Sequence, residues 1–259
     1  MDLTYSQYLH LDKILEAQAP LSPEEHDETL FIIIHQTYEL WFKQLLHETG
    51  FLRIQLQKGS ESLAMATLQR MLVILKTLVS QADILETMTP ISFHAFRARL
   101  QQASGFQSLQ FRRLEFQLGL KDTRTLERFA SHTQFASLSE DYHAPTLYDA
   151  LLQFLSQYRG VEFPLEILQR TFSEKYDGDI RVQNQLLALY RAAGDGVAMM
   201  ERYVDFDEGL QEWRYRHVKM VERTIGTAPG TGGSAGVAYL RSTLFQPAFG
   251  DLWALRSFL

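Results

Sequence analysis

Eight histidines are the natural place to look for chemistry, and two stand apart from the rest. His35 closes the run Phe31-Ile32-Ile33-Ile34-His35, in the middle of an apolar helix face. Burying an unpaired imidazole costs on the order of 1–3 kcal/mol, so this position demands a partner. A backbone carbonyl or Tyr38 would satisfy it as a core residue; a ligand would make it functional. His217 shares a helical face with Leu210, Trp213, Met220 and Val221 and is flanked by Arg214 and Arg216. A lone neutral imidazole in an apolar stripe suits an axial haem ligand, and a satisfied core histidine fits the spacing equally well. His10, His26, His47, His94, His132 and His143 sit among polar neighbours and read as surface or capping residues.

Arg97 follows Phe96 and lies one helical turn after Phe93, so an aromatic ring and a guanidinium share a face. Arginine can grip a carboxylate through two parallel hydrogen bonds, which lysine cannot do; the plain alternative is a surface arginine facing an acidic residue. Gly230-Thr231-Gly232-Gly233-Ser234 surrounds one threonine with glycines that permit positive φ and expose backbone N–H groups to an anion. No Lys-Ser or Lys-Thr follows and no strand precedes it, so it is not a P-loop; a flexible surface loop is the other reading. Other chemistries find little support. A di-iron bundle needs two Glu-x-x-His motifs, and Glu140-Asp141-Tyr142-His143 is the single instance, in a stretch that does not read as helix. There is no His-Glu-x-x-His zinc motif and no Gly-x-Ser-x-Gly elbow.

The elements that must position these residues read as helical almost throughout. Ser22-Pro23-Glu24-Glu25 predicts a capped helix start, with serine as N-cap and proline in the first helical position. The helix it opens runs to about Lys58-Gly59 and puts Phe31, His35, Tyr38, Phe42 and Leu45 on one face. A second long helix from Ser60 to Thr87 carries Leu68, Leu72, Leu75, Leu78 and Leu85, and the short turn between the two predicts antiparallel packing. Shorter helices are expected over 92–100, 107–118, 146–158, 165–172 and 180–193, and a long one from Val197 to Ile225. The stretch from Ser131 to Pro145 reads as irregular, Gly226–Gly236 as a glycine-rich loop, and the apolar tail from Phe245 as docked on the body. All-α is the expected fold class.

The 259 residues, 46% hydrophobic and 22% charged, suffice for a substantial core. A formal charge of -6 without a dense basic cluster argues against nucleic acid. The absence of cysteine excludes disulfides, thiolate metal sites, iron–sulfur clusters, a cysteine nucleophile and covalent c-type haem. The segment from Met1 to Tyr5 shows no secretory pattern, and the apolar runs, such as Leu30 to Ile34, fall far short of a membrane span. A soluble cytoplasmic protein is expected.

Six ordered segments resemble the tryptophan 2,3-dioxygenases: Tyr5-Ser6-Gln7-Tyr8-Leu9; His26-Asp27-Glu28; Phe31 to Phe42; Ser104-Gly105-Phe106-Gln107-Ser108; Trp213-Arg214-Tyr215-Arg216-His217; and Gly230-Thr231-Gly232-Gly233. The resemblance implies a helical domain, residues 22–259, enclosing one noncovalent b-type haem per subunit, and an N-terminal arm, residues 1–21, exchanged between the subunits of a homotetramer. It implies His217 as the proximal iron ligand and Ser104 and Gly105 as a loop beside the haem. His35 would meet the indole N–H, with Phe31 lining the indole pocket, Arg97 on the substrate carboxylate, and Thr231 on carboxylate and ammonium. Tyr5, Tyr8 and Leu9 would reach a neighbour's active site. Phe93 stands where some members carry tyrosine, so it would serve as a pocket wall without a hydroxyl contact. The reaction implied is cleavage of the indole C2–C3 bond of L-tryptophan with O2 to N-formylkynurenine. A broader indoleamine dioxygenase and a non-enzymatic haem sensor remain the alternatives, and a purely structural helical protein is the plainest.

Overall fold

The computed structural model describes residues 2–194, 196–231 and 236–259, and among these every regular element is helical. Two one-turn helices, α1 (Tyr5–Leu9) and α2 (Leu11–Leu15), precede the long pair α3 (His26–Gln57) and α4 (Glu61–Leu85). Then follow α5 (Pro90–Arg97), α6 (Leu109–Leu118), α7 (Thr123–Arg128), α8 (Phe135–His143), α9 (Leu147–Arg159), α10 (Leu165–Leu168) and α11 (Ile180–Arg191). The long α12 (Val197–Ile225) and the short α13 (Val237–Ser242) and α14 (Gly250–Ala254) complete the order.

The α3–α4 hairpin forms as expected. Gly59 turns it at φ 69°, and a Cβ there would sit 2.7 Å from the Tyr158 ring, so both backbone angle and space select glycine. Helix α4 packs on α3 and, on its other side, on α12. At Gly209 of α12 a Cβ would come within 3.2 Å of Leu72, so a residue without a side chain lets these two helices close up. Phe42, Leu45 and Leu52 of α3, Leu68, Met71, Leu75 and Leu78 of α4, and Tyr203, Phe206 and Leu210 of α12 fill the main core, with α6 and α9 adding Phe111, Leu114, Leu151 and Phe154. A second cluster at the other end joins Ile34, Leu85, Met88, Phe93, Phe96 and Met220. By length and composition α4 could cross a membrane, which the short unbroken runs did not signal; its leucine face lies in the core.

Three expectations need correction. Ser22 is not the cap of α3: the helix begins at His26, and the buried Glu28 carboxylate reaches back to accept from the N–H groups of Leu21 (2.9 Å) and Ser22 (2.6 Å). The stretch 131–145 is not irregular, because α8 occupies much of it, with Leu138 and Tyr142 buried against Leu109 and Phe116. Residues 165–172 yield only the four-residue α10. The tail docks as expected. Asp207, buried in mid-α12, accepts from the backbone N–H groups of Ala248 and Phe249 (both 3.1 Å) and from Trp253 Nε1 (2.9 Å), while Phe249, Leu252 and Leu255 enter the core.

Candidate active site

Between the two larger core clusters lies a cavity of about 240 Å³. Phe31, His35, Tyr38 and Phe42 of α3 form one wall and Trp213, His217, Met220 and Val221 of α12 another. Phe93 and Arg97 of α5, the 103–106 turn, and the loop residues Gly230 and Thr231 close it.

His35 donates Nδ1–H to the Phe31 carbonyl at 2.7 Å. A carbonyl can only accept, so in the neutral ring Nδ1 carries the proton and Nε2 is left as an acceptor. Desolvation is the largest influence on this imidazole and holds its pKa below 6.5, against the Phe31 carbonyl and the Glu39 carboxylate, which favour protonation. The ring also packs on Phe31 with centroids 4.1 Å apart.

His217 differs. Neither ring nitrogen makes a hydrogen bond to a described residue, and the ring stacks on Trp213, one turn earlier, at 5.3 Å and 4°. Trp213 is itself fixed by Phe111 (4.8 Å), Phe42 (5.8 Å) and Tyr38 (6.4 Å). Desolvation first, then the neighbouring His35 and Arg112, pushes the His217 pKa down to about 4, so the ring is a neutral nitrogen donor. A neutral, oriented imidazole with no hydrogen-bond partner among the described residues is suited to binding a metal centre.

Arg97 ends α5, and its Nη2 donates to the Pro229 carbonyl at 2.6 Å. The Thr231 hydroxyl donates to the Ala103 carbonyl. These two bonds tie the glycine loop to α5 and to the 103–104 turn. Ser104 sits on the cavity wall with its hydroxyl engaged in capping a single 3₁₀ turn, where it accepts from Phe106 N–H. Phe93 is buried between Phe31 (5.8 Å) and Phe96 (5.4 Å).

The structure therefore gathers Phe31, His35, Phe93, Arg97, Ser104, Gly105, Thr231 and His217 around one cavity. It does not bring Tyr5, Tyr8 or Leu9 there. The two tyrosines are 75% and 70% exposed, and nothing in α1 or α2 is buried. Gly232, Gly233 and Ser234 lie outside the described residues. The Glu140–His143 motif is helical after all, yet no cluster of metal-ligating side chains occurs among the described residues.

Sequence reasoning missed one part of the wall. Arg112 and Glu115 of α6 and Arg214 of α12 are buried and face the cavity. Arg214 stood out only as a neighbour of His217, and Arg112 and Glu115 show only a three-residue spacing that reads as an ordinary surface pair.

The sequence model of the family described as tryptophan 2,3-dioxygenase matches residues 1–195 and 182–259. The chain belongs to the tryptophan 2,3-dioxygenase family. It is 55% identical over 258 residues to the tryptophan 2,3-dioxygenase of Anaeromyxobacter dehalogenans, covering 99% of this chain and 96% of the relative. It is 49% identical over 256 residues to that of Herpetosiphon aurantiacus (98% of each chain) and 43% identical over 260 residues to that of Caulobacter vibrioides (99% and 98%). The match spans both cavity walls and the loop that closes them.

Proposed function

We propose that this tryptophan 2,3-dioxygenase family member cleaves the indole C2–C3 bond of free L-tryptophan with O2 to give N-formylkynurenine, using one noncovalent b-type haem per subunit in the cytoplasm. The observation that carries the reading is the pairing of two neutral imidazoles on one apolar cavity, with Arg97 on its rim. The residues present fit a haem. His217 offers a nitrogen unclaimed by the described residues, the aromatic and aliphatic walls offer a dry slot, and the buried Arg112 Nε, with no hydrogen-bond partner among the described residues, offers positive charge to the porphyrin's carboxylates. Bound there, haem would supply the activation of O2 that closed-shell side chains cannot.

The chain's own residues then select and orient the substrate. His35 Nε2, the free acceptor, takes the indole N–H, and its fixed Nδ1–H bond to Phe31 sets the direction of that contact. Phe31 and Phe93, packed against each other, form one aromatic wall for the indole. The Arg97 guanidinium takes the carboxylate in bidentate fashion, exchanging a neutral carbonyl for an anion. Thr231, on the loop tied to Ala103, contacts carboxylate and ammonium. Holding three handles at once makes the encounter with O2 effectively unimolecular. The overall change is balanced without an external reductant: C2 and C3 each gain one oxygen atom as the bond between them breaks.

Residues 1–21 act as an arm and 22–259 as the catalytic domain in this reading. Leu3, Tyr5, Tyr8, Ile14, Leu15 and Leu21 are exposed apolar side chains with no cover in the single chain. A homotetramer in which Tyr5, Tyr8 and Leu9 lie against a neighbouring subunit's cavity accounts for them. The test is an absorption spectrum with and without L-tryptophan, followed by turnover of L-tryptophan, D-tryptophan and tryptamine. A Soret band perturbed by L-tryptophan and turnover confined to it are expected. Equal turnover of tryptamine would favour a broader indoleamine oxygenase, and a Soret band without turnover would favour a haem sensor.

A further inference from the structure

The cavity wall missed in the sequence carries three buried charges in one network. Glu115 and Arg112 are one turn apart on α6, and Arg214 reaches them from α12. Each carboxylate oxygen of Glu115 has its own guanidinium: Oε2 meets Arg112 Nη1 at 2.7 Å, and Oε1 accepts from Arg214 Nη2 at 2.6 Å. All three side chains are less than one tenth exposed. Arg214 continues outward, donating Nη1 to the carbonyls of Thr243 and Gln246 at 3.3 and 3.4 Å, in the segment that follows α13. The Arg112 guanidinium lies 4.8 Å from the Phe111 ring centroid and 5.3 Å from that of Phe106, which fixes its plane.

Two cations share one anion here, so the wall carries an unbalanced positive charge in a desolvated setting. Such an excess is costly unless an anion arrives to pair with it. The other charged side chains lining the cavity do not cancel it. Glu39, bonded to the neutral Gln110 amide at 2.8 Å, keeps its charge and offsets Arg97, so the excess on the wall remains. What keeps Arg112 from being neutralised is the division of Glu115 between two partners. Without Arg214, both oxygens of Glu115 would be free to take Arg112 alone, and the excess would vanish.

Resting on the haem reading above, we infer that Glu115 and Arg214 are positioning residues for the cofactor's carboxylates. Glu115 aligns Arg112, and Arg214 draws off half of the Glu115 charge so that Arg112 stays available to an anion in the cavity. Neither need touch the cofactor. The carbonyls of Thr243 and Gln246 anchor Arg214, so the segment after α13 takes part in holding the haem from behind the wall.

The test compares haem with haem dimethyl ester, which lacks free carboxylates. Full-length wild type, Arg214→Met and Arg214→Lys are loaded with each, and loss to excess apomyoglobin is followed by absorbance. Losing a charge-assisted contact is expected to speed release of haem from Arg214→Met roughly 10-fold or more. Release of the ester should match that from wild type. Arg214→Lys keeps the charge but cannot span Glu115 and two carbonyls, so a smaller acceleration is expected, again confined to haem with free carboxylates. Should the methionine variant not fold, the lysine variant carries the same comparison. Equal acceleration for both porphyrins would mean a general packing defect and would overturn the inference, as would unchanged haem release. A wild-type chain that retains neither porphyrin would end the haem reading itself, a result distinct from failure of the network alone.

Discussion

The two ends of the cavity are built to different standards. At the His217 end the side chains come from the long α3 and α12 and from the ten-residue α6, and are locked by aromatic stacking and buried ion pairs: Trp213 by Phe42 and Phe111, Glu115 by two arginines. At the Arg97 end they come from an eight-residue helix and a glycine loop, and they bond to neutral carbonyls, Pro229 and Ala103. Breaking a buried ion pair strands a charge at a cost of roughly 3–5 kcal/mol, whereas a guanidinium can leave a carbonyl for a carboxylate with a net gain. One end is suited to keeping a resident group, the other to exchanging a visitor.

Four measurements would break or sharpen that contrast. His217→Ala should abolish the Soret band of the purified protein, because no other unpartnered imidazole faces the cavity from α12; normal haem content in this variant would remove the distinction between the ends. Arg97→Lys should leave haem content intact and weaken L-tryptophan binding roughly 10- to 150-fold, read by spectral titration, since a charge-assisted fork is lost. Deleting residues 1–10 should reduce turnover while haem content and melting temperature hold, because no residue of α1 is buried. Full activity of the truncated chain would show that the exchanging end needs no neighbour.

The smallest effect concerns acid. His35 has a folded pKa below its ordinary 6.5, so above that pH it is neutral in both states and contributes no pH dependence. Below it the unfolded chain takes up a proton that the folded chain resists, and stability falls at no more than about 1.4 kcal/mol per pH unit. Urea unfolding of the apoprotein between about pH 5 and pH 7 should show a shallower slope in His35→Phe than in wild type. An identical slope would place the acid sensitivity elsewhere.

Much of this was legible in residue spacing. The 29-residue α12 begins and ends where its pattern says, because Gly196 and Gly226 bracket a proline-free run interrupted by the single Gly209. His35 and His217 stood out because each interrupts an apolar stripe. What spacing could not convey was partnership across helices. Glu115 looked like half of a surface pair until Arg214, 99 residues on, proved to share it. Glu28 escaped notice because it caps the chain before its helix rather than the helix itself. Helix α8 was hidden by its polar composition, since only packing against Phe116 makes Tyr142 a core residue. Tyr5 and Tyr8 gave their signal by resemblance alone, for a single chain offers them nothing to bury against.

The clasp at Asp207 bears on how the molecule is made. A ribosome delivers α12 well before residues 248–255, yet Asp207 is buried with acceptors directed at the N–H groups of Ala248 and Phe249 and at the Trp253 indole. Until those residues emerge, its carboxylate has no donors from that segment, and the hydrophobic slot later filled by Phe249, Leu252 and Leu255 stands open. The nascent chain therefore cannot complete this part of its core before residues 248–255 are available. A chain cut short before residue 248 is expected to unfold at lower urea concentration than the full chain, with Asp207 left without the three donors of that segment and an apolar slot open beside it.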